Sequence, residues 1–212
     1  MKLTLLLILI NVAVFVYSLN SSNNILNNYG FSAKNFHSGK YYVVLTSVFL
    51  HANWLHIASN MIALFFLGWT IEKYTKSWQY ISVYLLSGIL SSLSTLIPIF
   101  GYSPETIAVG ASGAISGLVG FGTFMIPGKL VVFPSVLPLP FVVAGAIYMI
   151  VTFANLFSIT NVAYSAHFFG IIGGALVGLI FGENRIKRLS VFILIILLMT
   201  GLPLVIGYLF IR

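Results

Sequence analysis

Three polar clusters interrupt an otherwise apolar chain, and they carry the residue types that acyl transfer needs. Gly110, Ser112 and Gly113 form a G-x-S-G motif where a loop gives way to a helix. Glycines on both sides let the backbone turn sharply and leave the amides around Ser112 unshielded, and helix-start amides suit a developing anion. The competing reading is an N-capping serine followed by a packing stripe of Gly113 and Gly117, because short glycine-serine motifs recur by chance. His167 opens the stretch "SAHFFGIIGGALVG", in which Gly170, Gly174 and Gly178 repeat every fourth residue. It therefore heads a smooth stripe along which another helix can approach, although a lone histidine there could equally pack or pass protons. The third cluster is "HANWLHIASN". Its His56 and Asn60 are four apart, share a helix face and can both donate to one oxyanion. His51, five before His56, is expected to face elsewhere and to cap or orient the loop.

A nucleophile, a base and oxyanion donors are the minimum set for acyl transfer. The chain has no cysteine, and its only carboxylate side chains are Glu72, Glu105 and Glu183. Thiol nucleophiles, disulfides, thiolate zinc sites and a paired-aspartate protease are thereby excluded. With no aspartate to orient the imidazole, the assembly would be a Ser-His dyad positioned by packing. A metal site built from His51, His56 and His167 is the weaker alternative, since no carboxylate accompanies them and no H-E-x-x-H occurs. Neither a metal nor another cofactor is expected.

Membrane helices must hold these groups. Of the 212 residues, 59% are hydrophobic and 6% charged, against about 45–50% and about 25% in soluble domains. The reading is an all-α membrane protein with a single domain over residues 1–212. Apolar runs give spans near 3–19, 52–72, 78–99, 112–127, 137–157, 164–182 and 190–211. The first has a charged start but no A-x-A-like cleavage site, so it reads as a retained helix. The fourth is short and glycine-rich, and is expected to begin below the membrane surface in a cavity sheltered by its neighbours. The long connection between the first two spans reads as an ordered, partly embedded loop with interfacial aromatics.

Orientation follows from the basic residues. With the N-terminus cytoplasmic, the inner side carries Lys2, Lys73, Lys76, Lys129, Arg185, Lys187 and Arg188, and the outer side only Lys34, Lys40 and Arg212. That asymmetry favours a cytoplasmic N-terminus and places Ser112 toward the outer face. The +7 net charge is accounted for by these loops, and no basic face with interleaved aromatics points to nucleic acid.

In order along the chain, "LTSVFLHANWLHIASNM", "GWTIEKYTKS", "GASGAISGLVG" and "SAHFFGIIGGALVG" resemble the rhomboid family of intramembrane serine proteases. The resemblance covers about residues 40–182. It implies a six-helix transmembrane core over about 1–182, with an additional C-terminal helix near 190–211. It implies Ser112 as nucleophile and His167 as general base. His56, Asn60 and the Ser112 amide would form the oxyanion hole, while Gly110, Gly113, Gly117, Gly170 and Gly174 serve the motif and the packing. The implied reaction is hydrolysis of peptide bonds in or near transmembrane segments of membrane-protein substrates, at the cell membrane, with no cofactor. Residues 20–45 would be the embedded first loop and the fifth span the substrate gate.

Two departures from the family pattern are visible. The first loop often carries a Trp-Arg pair, where this chain has Tyr42 and Val43, so the loop needs another anchor. An aromatic often stands four residues after the nucleophile, where this chain has Ser116. The main alternative function is a catalytically inactive relative that binds or escorts membrane clients, and such proteins lack the Ser or the His. A transporter is disfavoured by the absence of a charged pathway or an inverted repeat.

Overall fold

A computed structural model describes residues 2–20, 25–132, 137–157, 163–194 and 197. Its first helix, α1 (Lys2–Asn20), is predominantly apolar, with a mean hydropathy of 2.2 over Lys2–Leu19. Its start is held by Glu72, whose carboxylate accepts from the amides of Leu3 and Thr4, each at 2.9 Å, and from the Thr4 hydroxyl at 2.7 Å. Three short helices follow in the first connection: α2 (Ile25–Tyr29), α3 (Ala33–His37) and α4 (Val43–Thr46). The expected ordered loop is thus built from helical turns, although residues 21–24 lie outside those described.

Helix α5 (Trp54–Tyr74) begins where Asn53 caps it, the side-chain oxygen accepting from the His56 amide at 2.9 Å. Helix α6 (Ser77–Ser94) begins where Gln79 turns back onto the Lys76 amide. It buries a face rich in serine, including Ser87, Ser91, Ser92 and Ser94. Helix α7 (Ser112–Met125) occupies the centre, and each residue from Gly113 to Phe124 is buried. A helix apolar on all sides belongs inside a bundle. Beyond Pro127, β1 (Leu130–Val131) pairs antiparallel with β2 (Leu139–Pro140) in a hairpin of two residues a side, a small exception to an all-helical chain. Helix α8 (Phe141–Ala154) and helix α9 (Tyr164–Phe181) complete the bundle, and residues 185–194 are again helical.

These elements fall within a few residues of the expected spans. The span expected near 78–99 stops at Ser94, and a short 3-10 turn at Pro98–Phe100 follows it. Among the described residues, three helices, α1, α5 and α9, are long and apolar enough to cross a membrane; α7 and α8 are apolar but have 14 residues each. Most of the span expected near 190–211 lies outside the described residues.

The packing order follows residue size. Helix α7 makes its most extensive contact with α9, then with α6, while α1 lies on α5. Between α7 and α9 the contact is backbone on backbone: a side chain on Gly170 would strike the Gly113 carbonyl, one on Gly174 the Gly117 carbonyl, and one on Gly120 the Ile171 carbonyl. Elsewhere the core is filled by large groups, among them Tyr80, Tyr84, Leu64, Leu67, Leu118, Phe121 and Phe141.

Candidate active site

Ser112 is the first residue of α7. The capping position is held by Ala111, with no side-chain capping bond, so the N-cap reading of Ser112 does not hold. The Ser112 hydroxyl is therefore not spent on its own helix start. As an opening residue, Ser112 also has an amide with no carbonyl one turn back to bond. Gly110, two residues earlier, has φ +126°, a conformation that side chains resist. Its amide donates to the Ser47 carbonyl at 2.9 Å, which fixes the turn.

The space over Gly110 is where two of the expected groups meet. A Cβ there would lie 2.7 Å from His56 Nε2 and 3.8 Å from Ser112 Oγ. The absence of that Cβ leaves His56 Nε2 and Ser112 Oγ flanking one small opening. On the other side of the ring, His56 Nδ1 faces the Ala52 amide at 3.5 Å, a long contact. That direction leaves the ring proton on Nε2, aimed at the opening. Asn60 lies one turn further on, buried, with its amide nitrogen donating to the His56 carbonyl at 2.8 Å. One of its two amide protons is thereby used.

His51 does not face away from His56. The rings are 5.1 Å apart between centroids at 67°. Helical angular spacing does not govern the pair, because His51 precedes the Asn53 cap. His51 is almost wholly buried, and its Nε2 faces the Ala111 amide at 3.5 Å, directly before Ser112. Burial first, and then the charge that His56 can carry, hold its pKa down to about 4.

His167 lies in the first turn of α9, partly buried, with its ring 6.3 Å from that of Tyr164 at 75°. It is brought toward Ser112 by backbone contact: Gly170, one turn beyond it, rests on the carbonyl of Gly113. Gly117 and Gly174 extend that contact down the two helices. Among the described residues, the hydrogen bonds do not include one between the Ser112 hydroxyl and the His167 ring. Nor do three His, Asp or Glu side chains cluster there as a metal-binding group.

Sequence reasoning missed Tyr148. Its hydroxyl pairs with that of Ser116 at 3.0 Å, and Ser116 in turn donates to the Ser112 carbonyl at 2.7 Å. Ser116 is wholly buried. A tyrosine in the middle of an apolar span was the available signal, since a buried phenol needs a partner. The serines facing Gly113 and Gly117, Ser91 and Ser87 of α6, were likewise not anticipated.

Residues 38–184 match the family profile of the Rhomboid domain. The chain belongs to the rhomboid family. Among its relatives are Rhomboid protease GluP of Bacillus subtilis (strain 168), 29% identical over 170 residues that cover 77% of this chain and 31% of GluP. RHOMBOID-like protein 12, mitochondrial, of Arabidopsis thaliana is 29% identical over 195 residues, covering 82% of this chain and 55% of that protein. Rhomboid protease AarA of Providencia stuartii is 29% identical over 206 residues, covering 84% and 71%. The chain thus spans about a third of the length of GluP and about half of the Arabidopsis protein. As a rhomboid with apolar helices of membrane-spanning length, it is an integral membrane protein.

Proposed function

We propose that this chain is an intramembrane serine protease that hydrolyses peptide bonds in or near transmembrane segments of other membrane proteins. The observation that carries the reading is the backbone contact of Gly170 on Gly113, because it sets the head of α9, with His167, beside the start of α7, with Ser112. Ser112 Oγ attacks the substrate carbonyl carbon while its proton passes to His167. The C=O electron pair moves onto oxygen, where the Ser112 amide, His56 Nε2–H and the second Asn60 proton donate to it. Collapse breaks the C–N bond as His167 returns the proton to the leaving amine, and water then releases the acyl group by the reverse sequence. No cofactor enters. The substrate helix must unwind locally to expose its carbonyl, which favours small or helix-breaking residues near the bond cut.

The basic-residue asymmetry supports a cell-membrane protein with its N-terminus in the cytoplasm and this site toward the outer face. Purified protein reconstituted with a labelled transmembrane substrate tests the reading. Wild type cuts, while Ser112→Ala and His167→Ala do not; cleavage that survives Ser112→Ala removes the nucleophile assignment. Replacing His56 or Asn60 by Ala lowers kcat by about 10²–10³ if each donates to the oxyanion. A client-binding role without catalysis would leave the substrate bound and uncut by wild type.

A further inference from the structure

We infer that Tyr148 is a positioning residue for Ser112, acting through Ser116 from the neighbouring helix. The inference rests on the assignment of Ser112 as nucleophile. Ser116 stands one turn below Ser112 on α7, and its hydroxyl donates to the Ser112 carbonyl at 2.7 Å. That uses its only proton, so the Tyr148 hydroxyl, 3.0 Å away, is the donor to Ser116. The result is a chain of two hydrogen bonds from α8 to the peptide group of Ser112, in surroundings where such bonds reinforce one another.

Two further facts give this chain its role. The opening of a helix is its least restrained part, because its first amides have no partners within the helix. Ala111 adds no side-chain cap here, so the hydroxyl of Ser116 is an added restraint on the turn that aims Oγ. Further from Ser112 along the α7–α8 contact, Phe141 covers Gly122 and Gly145 faces Thr123, whose hydroxyl donates within its own helix to the Val119 carbonyl. Among the described residues, Tyr148 provides the polar link from α8 nearest the nucleophile.

The test uses full-length protein in proteoliposomes, with kcat and KM for a transmembrane substrate and, separately, the rate at which a fluorophosphonate labels the serine. Tyr148→Phe keeps the ring and loses the hydroxyl. Tyr148→Phe and Ser116→Ala each lower kcat and the labelling rate by about three- to tenfold, the scale of one hydrogen bond, with KM within about twofold. The double variant is no slower than Ser116→Ala, since both act through one chain, and Ser116→Thr, which keeps a hydroxyl, restores the rate. A Tyr148→Phe protein with wild-type kcat, a change confined to KM, or losses that multiply in the double variant would each overturn the inference. Labelling that survives Ser112→Ala instead brings down the nucleophile assignment, and the inference with it.

Discussion

Replacing Gly170 by Ala tests whether helix proximity builds the site. A methyl group there has the carbonyl of Gly113 against it, with the carbonyl carbon at 3.1 Å. Neither atom can rotate away, because both belong to the α7 backbone. Restoring an ordinary contact requires α7 and α9 to part by about 1 Å. Overpacking of that kind costs about 1–3 kcal/mol of stability. A shift of about 1 Å between reacting groups costs about a hundredfold in rate, or about 2.7 kcal/mol in the barrier. Gly173, three residues on, supplies the control. Its methyl group would meet Leu90 Cδ2 at 3.1 Å and Ser87 Oγ at 3.4 Å, both ends of side chains that can turn. Alanine is also the better helix former by about 1 kcal/mol, so Gly173→Ala should be neutral or slightly stabilising. The assay is kcat on a transmembrane substrate together with the thermal midpoint in detergent. Wild-type kcat in Gly170→Ala would refute the argument even if the midpoint fell, because the helices would then have parted without disturbing the chemistry.

Three further outcomes follow from particular contacts. Gly110→Ala sets a methyl group 2.7 Å from His56 Nε2 at φ +126°; strain of about 1–3 kcal/mol and displacement of His56 should lower kcat, and normal turnover would show that the ring is not used. Glu72→Ala leaves the Leu3 and Thr4 amides without their acceptor, which should cost about 1–3 kcal/mol, lower the thermal midpoint and loosen α1 from α5, seen as faster proteolysis near the N-terminus. His51 binds its proton more weakly when folded than at its ordinary value of 6.5. The unfolded chain therefore takes up protons first, so stability is full above about 6.5 and is lost as the pH falls toward about 4. The thermal midpoint should drop between pH 7 and pH 5 and drop less in His51→Gln; a flat wild-type profile would refute the assignment.

What the sequence made legible was the residue type at each backbone contact. Spacings of four among Gly113, Gly117, Gly170 and Gly174 required only helices and close approach, and the α7–α9 contact uses those glycines. The placement of Ser112 at a helix start was equally legible, because glycines bracket it. The cap was not: the turn is closed by Gly110 bonding to Ser47, a contact between residues 63 apart that no local pattern encodes. The His51–His56 contact was missed because a helical rule was applied across a helix boundary. Tyr148 was missed because its partner lies 32 residues away on another helix, and pairing of hydroxyls depends on how the helices are rotated.

The first loop and the short central helix are answers to one physical problem. With 14 residues, α7 reaches about 21 Å, less than the about 30 Å of a hydrocarbon core. One end of it must stand away from the interface, and the chain leading to Ser112 is then irregular backbone at depth, which is tolerated only when its polar groups are met by protein or enclosed water. The first loop meets them. Phe31 and Ala108 exchange two backbone hydrogen bonds, at 3.1 and 2.8 Å, and the Lys34 amide donates to the Pro104 carbonyl at 2.9 Å. Ser47 receives the Gly110 amide, and His51 faces that of Ala111. The loop is in turn held without the Trp-Arg pair: Asn35 donates to the Asn27 and Gly30 carbonyls, and the Thr46 hydroxyl to that of Tyr29. With Tyr42 and Val43 in place of a Trp-Arg pair, the loop is anchored to the segment before α7 by backbone amides. The same backbone contacts fix the turn at Gly110, so the elements that satisfy the buried backbone are also the ones that aim the serine.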